Sequence, residues 1–284
     1  MKKPNSFIII GGDNRQLYMT EYLKSLGYDV STYGLTPNSI TDLKAEISSK
    51  DAVILPLPVT KDEKKLCSII PIKESIDDII SFIKPEQPVF AGMINKGTES
   101  KMKRKNIKPY DYFKREEVTV MNTVPTVQGI IKAIIDNIDY TVFSSNCVIF
   151  GYGRVAKITA DSLASLGAKI TVCARKYGDI ALAATKGYQG CLINEFYKTA
   201  KNAEIIINTV PSLVIDRKIL QNVRSSCLII DVSSAPFGVD FTSAYELGIK
   251  ALQCPSLPGK VAPKTAGKII ADGILNIIRE EYDG

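Results

Sequence analysis

Cys147-Val148-Ile149-Phe150-Gly151-Tyr152-Gly153-Arg154-Val155-Ala156 is the stretch that decides how this chain folds. Four apolar residues run directly into two glycines one residue apart, a small alanine follows, and Lys157 to Leu166 continues in a helical pattern. G-x-G-x-x-A is informative only between a strand and a helix, and that is where it stands. Gly151 allows the tight turn, Gly153 lets backbone approach a pyrophosphate, and Ala156 lets helix and strand pack closely. The helix amino terminus offers free N–H groups and a positive dipole end to the anion. Lys169 to Cys173 arrives after Gly167 as the next strand of a βαβ unit. The stretch therefore reads as a Rossmann-type dinucleotide site with Gly151, Tyr152, Gly153, Arg154, Val155 and Ala156 as cofactor-binding residues.

The second strand of such a unit normally ends in an acid that bonds the adenosine ribose. Here it reads Cys173-Ala174-Arg175-Lys176, with two cations and no acid. Arg175 can pair with a 2′-phosphate through two nitrogens and stack on adenine, and Lys176 adds charge, which favours NADP over NAD. Two further strands end in Asn208-Thr209-Val210-Pro211 and Asp231-Val232-Ser233-Ser234-Ala235-Pro236. Both fall where strand carboxyl ends meet a dinucleotide in an open α/β sheet. Thr209, Val210 and Pro211 are placed against the ribose, and backbone around Val232 and Ser233 toward the nicotinamide.

Outward from this core, apolar β-type runs alternate with helical patterns. They are Phe7–Ile10, Val30–Tyr33, Ala52–Leu55 and Val89–Ala91, then Cys147–Phe150, Lys169–Cys173, Ile205–Asn208 and Leu228–Val232. The alternation predicts α/β architecture in two domains, each an open, mainly parallel sheet with flanking helices, the second being the Rossmann domain. Continuous apolar runs suit strands buried on both faces. A helix is read over Thr126–Ile138 behind Pro125, with a start near Thr123, and the hinge is set at 136–146. The division expected is 1–122 for a substrate-side domain, completed by a final helix over 263–284, and 123–262 for the dinucleotide domain. Ile269, Ile270, Ile274, Ile277 and Ile278 give that last helix its apolar face. Lys101-Met102-Lys103-Arg104-Lys105 reads as a solvated loop.

Composition narrows the function. The 284 residues are 45% hydrophobic and 23% charged, which suits a globular protein with two cores. The net charge of +6 is spread along the chain, so an anionic substrate or cofactor accounts for it without nucleic acid. Phe7–Ile10 is too short for a signal peptide, and no segment approaches the roughly 20 consecutive apolar residues of a spanning helix. A cytoplasmic protein without a membrane partner is expected. Six scattered cysteines without a Cys-x-x-Cys pair read as reduced core residues, and no metal site is expected. The chain has no histidine, which excludes a His-carboxylate relay and a Ser-His-Asp triad.

The first strand ends in Gly11-Gly12-Asp13-Asn14-Arg15-Gln16, which lacks dinucleotide spacing but suits close approach of backbone to a ligand. Arg15 can grip a carboxylate there; alternatively the glycines form a turn and Asp13 caps the helix. Leu257-Pro258-Gly259-Lys260-Val261-Ala262-Pro263-Lys264-Thr265-Ala266-Gly267 reads as a rigid loop presenting two ammonium groups to a dicarboxylate. With Asp231-Val232-Ser233-Ser234, Pro236-Phe237-Gly238-Val239-Asp240-Phe241 and the Gly151 turn, these segments resemble the A-subunit family of bacterial dipicolinate synthase over nearly the whole chain.

The resemblance implies oxidation of dihydrodipicolinate to pyridine-2,6-dicarboxylate in the mother cell of a sporulating bacterium, the partner being a flavoprotein-like B subunit. A small dicarboxylate would then be held in an interdomain cleft by Arg15 with Lys260 or Lys264, Asp13, Asn95 and Thr123 being the other substrate-side candidates. A homo-oligomer is compatible with this reading, and no catalytic proton acceptor is assigned. Two alternatives stand beside it: a non-catalytic NADP-binding or regulatory partner of a flavoprotein, and a dehydrogenase of another carboxylate, of 2-hydroxyacid or shikimate type.

Overall fold

The computed structural model describes residues 3–37 and 40–283. Its elements are β1 (Ser6–Ile10), α1 (Asn14–Ser25), β2 (Asp29–Tyr33), α2 (Leu43–Ser49), β3 (Ala52–Ile54), α3 (Ile76–Phe82), β4 (Val89–Ala91), α4 (Lys96–Lys103), β5 (Pro109–Asp111) and α5 (Glu116–Met121). There follow α6 (Thr123–Ile135), β6 (Asn146–Phe150), α7 (Arg154–Ser165), β7 (Lys169–Ala174), α8 (Tyr177–Ala184), β8 (Gln189–Leu192), β9 (Ile205–Asn208), α9 (Arg217–Leu220), β10 (Leu228–Asp231), α10 (Phe241–Glu246), β11 (Lys250–Gln253), α11 (Leu257–Val261) and α12 (Pro263–Tyr282). Two compact units result, one of residues 1–122 with 262–284 and the other of 123–261.

The first unit carries a parallel sheet in the order β2-β1-β3-β4-β5. Side chains alternate across a strand, so β1 feeds two cores. Phe7 and Ile9 pack with Met19 and Leu23 of α1 and Ile270, Ile274 and Ile278 of α12. Ile8 and Ile10 pack on the other face with Leu43 and Ile47 of α2 and Ile76, Ile79 and Ile80 of α3. This two-sided burial is why these strands are runs of isoleucine, valine and phenylalanine.

The second unit is a six-stranded parallel sheet, β11-β10-β9-β6-β7-β8. Counted within the unit this is the order 3-2-1-4-5-6 of a dinucleotide-binding sheet read from its other edge. Cys147, Ile149, Ile205 and Ile207 face α6 and α7, through Ile130, Ile134, Ala156, Ala160 and Leu163. Val148, Phe150, Cys173, Ile206 and Ile229 face Phe196, Ile219 and Leu220.

Several local readings are corrected. Leu257–Gly267 is not a loop: it is α11 followed at once by α12, which begins at Pro263, where a missing N–H costs nothing. Lys101 and Lys103 belong to α4, paired with Asp77 and Glu99 at 2.7 Å each, so that basic run is mostly helical. α6 opens at Thr123, the start expected, but takes Pro125 into its first turn and ends at Ile135, short of Ile138. Among the described residues one helical stretch, Glu116–Ile135, is long and apolar enough by composition to cross a membrane. It is α5 and α6 in succession, interrupted by Asn122, and it buries Val118, Val127, Ile130 and Ile134.

Candidate functional site

In the second unit the strand order reverses between β6 and β9, and the crevice at their carboxyl ends is where such sheets bind ligands. Gly151 leaves β6 with φ +92°, a left-handed conformation, and donates its N–H to the Cys173 carbonyl at 2.8 Å. A Cβ on Gly151 would lie 2.5 Å from the Thr209 Oγ1 and 3.1 Å from Val210. That hydroxyl donates to the Phe150 carbonyl at 2.7 Å, so Thr209 closes the end of β6. Gly153, at the N-cap of α7, has an ordinary φ of −80° and no atom within 4 Å of where a Cβ would stand. No side chain caps α7, and the space where a Gly153 Cβ would stand, at its amino terminus, is open. Gly151 serves the fold of the turn and Gly153 the room in front of it.

The remaining residues of the turn divide by depth. Ala156 is fully buried against the sheet, and Arg154 is exposed. The Tyr152 ring turns into the core, with the Lys157 ammonium 5.5 Å from its centroid, so a ligand can meet only its backbone. Val155 is half-buried against the same core. At the end of β7, Arg175 and Lys176 are both exposed, and neither has a carboxylate partner among the described residues. Pro211 is exposed beside half-buried Val210.

A buried polar network holds the rest of this rim. Asn208 and Asp231 oppose each other in the register of β9 and β10. The Asn208 amide donates to Asp231 and to the Val210 carbonyl at 3.0 Å each, and its oxygen accepts the Val210 N–H at 3.1 Å. Asp231 also accepts the N–H groups of Ser233 at 2.9 Å and Gly238 at 2.8 Å. The Val232 N–H goes to the Asn208 carbonyl at 3.0 Å. The N–H groups of Val232 and Ser233 are thus committed within the protein, and only their carbonyls can turn to a ligand. Asn208 and Asp231 were not singled out from the sequence, although a signal was there: each is a polar residue closing a strand of otherwise unbroken isoleucine and leucine.

The first unit has its own reversal, between β1 and β3. Asp13 is the N-cap of α1: its carboxylate accepts the Arg15 N–H, and Gln16 accepts the Asp13 N–H, both at 2.9 Å. Arg15 is buried and folds back, with Nε and Nη2 on Asp13 at 2.9 and 2.8 Å and Nη2 on the Leu57 carbonyl at 2.6 Å. It therefore clamps the end of β1 to the segment after β3. Burial works against the charged form of Asp13, but the hydrogen bonds and charge of Arg15 outweigh it and hold the carboxyl below its usual range.

The other substrate-side candidates are dispersed. Asn95 caps α4 through the Thr98 N–H at 2.8 Å, reached by a turn that Asp111 holds through the N–H groups of Met93 and Ile94. Thr123 is buried at the start of α6. Lys260 is exposed on α11 in the second unit. Lys264 lines a surface cavity with Tyr18, Glu21, Tyr22, Ser25, Thr265 and Lys268, which does not include Arg15. No group of metal-binding side chains occurs among the described residues.

A family model described as the N-terminal domain of the dipicolinate synthase A-subunit matches residues 6–113. A second, the NAD binding domain of S-adenosyl-L-homocysteine hydrolase, matches 122–271. The dipicolinate synthase A-subunit of Bacillus subtilis (strain 168) is 32% identical over 285 residues, covering 96% of this chain and 95% of that protein. The crystal structure of the dipicolinate synthase A-subunit from Bacillus halodurans superposes with a TM-score of 0.88 at 32% identity, covering 96% of this chain and 97% of that one. The crystal structure of its counterpart from Bacillus subtilis gives 0.86 at 31% identity, covering 99% of each. A transhydrogenase from Sinorhizobium meliloti, at 14% identity and a TM-score of 0.68 over 96% of this chain and 94% of that one, shares the fold.

Proposed function

The chain belongs to the A-subunit family of dipicolinate synthase and carries an NAD-binding domain, and from that premise we propose that it oxidises dihydrodipicolinate to pyridine-2,6-dicarboxylate with hydride transfer to NADP. The observation that carries the reading is the open space at Gly153, before the uncapped amino terminus of α7 and at the reversal of the sheet. Exposed Arg175 and Lys176, with no acid beside them, support the phosphorylated cofactor.

In this reaction a ring carbon gives up a hydride, the ring loses a proton, and aromatisation supplies driving force. Bound NADP supplies the hydride acceptor. A chain without histidine contributes mainly by positioning and by clamping charge. The α7 N–H groups hold the pyrophosphate, Arg175 and Lys176 the 2′-phosphate, and Thr209 and Val210 bound the ribose. Arg15, fixed by Asp13 and Leu57 through Nε and Nη2, keeps Nη1 for a substrate carboxylate. The partner is a flavoprotein-like B subunit, and the setting is the mother-cell cytoplasm during sporulation.

The test is NADPH formation and dipicolinate release from dihydrodipicolinate, measured with and without the partner. NADP binding without turnover in either mixture would overturn the catalytic reading and leave a regulatory role. Turnover of a 2-hydroxyacid in its place would reassign the substrate.

A further inference from the structure

Cys173 on β7 and Cys191 on β8 oppose each other directly in the parallel register, with their sulfurs 2.8 Å apart. Neighbouring strands run about 4.8 Å apart, inside the roughly 4.4–6.8 Å between Cα atoms that a disulfide spans. β8 is the edge strand of its sheet, so Cys191 is half-buried and open to small reagents, whereas Cys173 is buried behind it. The hydrogen bond from the Cys173 thiol holds Cys191 below the usual thiol range, against the burial that opposes it. Burial pushes Cys67, Cys147, Cys173, Cys227 and Cys254 the other way. Among the described residues, Cys191 alone combines access, a favoured thiolate and a second thiol within reach.

We propose that Cys191 and Cys173 are a peroxide-reactive dithiol that closes reversibly to a disulfide across the edge of the second unit's sheet. The Cys191 thiolate attacks one oxygen of hydrogen peroxide; the O–O bond breaks, hydroxide leaves and Cys191 becomes a sulfenic acid. The Cys173 sulfur then attacks the Cys191 sulfur, the S–O bond breaks, and that oxygen leaves as water with the Cys173 proton. The sum is two thiols and one peroxide giving one disulfide and two waters, with two electrons passing from the sulfurs to the peroxide. A small dithiol reverses it by exchange. The closed ring contains Arg175, Lys176 and all of α8, so oxidation fastens the loop-and-helix rim beyond β7.

The experiment treats the full-length chain with equimolar hydrogen peroxide, alkylates it after denaturation and maps the peptides. None of the readouts involves a cofactor or substrate, so the result is independent of the proposed reaction. Expected are the loss of two of the six alkylatable thiols, a peptide joining Cys173 to Cys191, and full recovery with dithiothreitol. Cys173→Ser, which keeps a donor beside Cys191, should stop at a Cys191 sulfenic acid that dimedone captures, and Cys173→Ala, which removes that donor, should reach the same adduct more slowly. In the oxidised parent, amides of α8 should exchange with solvent more slowly than in the reduced form. Six intact thiols, oxidation of Cys67 or Cys254 in place of the pair, or a folded Cys173 variant without the dimedone adduct would overturn the dithiol. Unchanged exchange in the disulfide form would overturn the fastening of the rim.

Discussion

Replacing Gly153 by valine separates binding from folding. The backbone there has φ −80° and nothing within 4 Å of the new Cβ, so the fold loses only an N-cap preference of about 1 kcal/mol. The pyrophosphate, by contrast, must come within about 3 Å of the α7 N–H groups to be bonded. A branched side chain in that space forces it back by more than a bond length. Losing two charge-assisted hydrogen bonds at about 1.5–3 kcal/mol each removes about 3–6 kcal/mol, or a factor of about 10² to 10⁴ in Kd. Gly151→Ala is the control, since φ +92° and a Cβ 2.5 Å from the Thr209 hydroxyl put its cost into the fold, about 1–3 kcal/mol. Calorimetric titration with NADP, alongside thermal melts, reads both. A Gly153→Val protein that melts like the parent and binds NADP within about threefold of it would place the cofactor elsewhere and refute the reasoning.

Arg175→Asp should weaken NADP by about 2 kcal/mol or more, through loss of a charge-assisted contact and gain of a repulsive one, while NAD binding stays nearly unchanged; equal affinities of the parent for the two cofactors by calorimetry would sink the assignment. Arg15→Lys should lower kcat/KM for the dicarboxylate about tenfold, at about 1.4 kcal/mol per factor, and leave the NADP Kd alone; parent-like steady-state kinetics would remove this cation from the substrate site. Asp13 has a folded pKa below its ordinary 3.8, so it contributes stability at neutral pH that is lost as the pH falls through and below that value. Asp13→Asn should therefore be less stable than the parent at pH 7, the gap closing below about pH 4 in urea titrations. A gap that widened in acid would contradict the sign.

Most of the strands legible in the sequence have neighbours on both sides. β1, β3, β4, β6, β7, β9 and β10 are interior to their sheets and announce themselves as mainly apolar runs, and β2, at an edge, is legible from Val30–Tyr33. Pro109–Asp111, Gln189–Leu192 and Lys250–Gln253 were not recognised, and all three are edge strands. An edge strand is only half covered, so it can carry a proline, a glycine or a lysine and loses the apolar signature. The helical conformation of Leu257–Val261 was hidden for a related reason. Proline and glycine punctuate a loop by local rule, yet here burial of Leu257 and Pro258 in the second unit outweighs propensity.

The glycine turn after β6 was legible because its demands are local: a left-handed residue, a small residue and a following helix all lie within six positions. Interior strands were legible because burial on both faces imposes composition on the strand itself. Only tertiary structure could decide what the polar side chains do. Whether Arg15 projects freely or is held by Asp13 and the Leu57 carbonyl depends on a segment 42 residues away. Asn208 joins Asp231 across 23 residues, and Cys173 meets Cys191 across 18. A hydrogen-bond partner is set by which strand ends lie side by side, and strand order is a property of the folded sheet that no window of sequence contains.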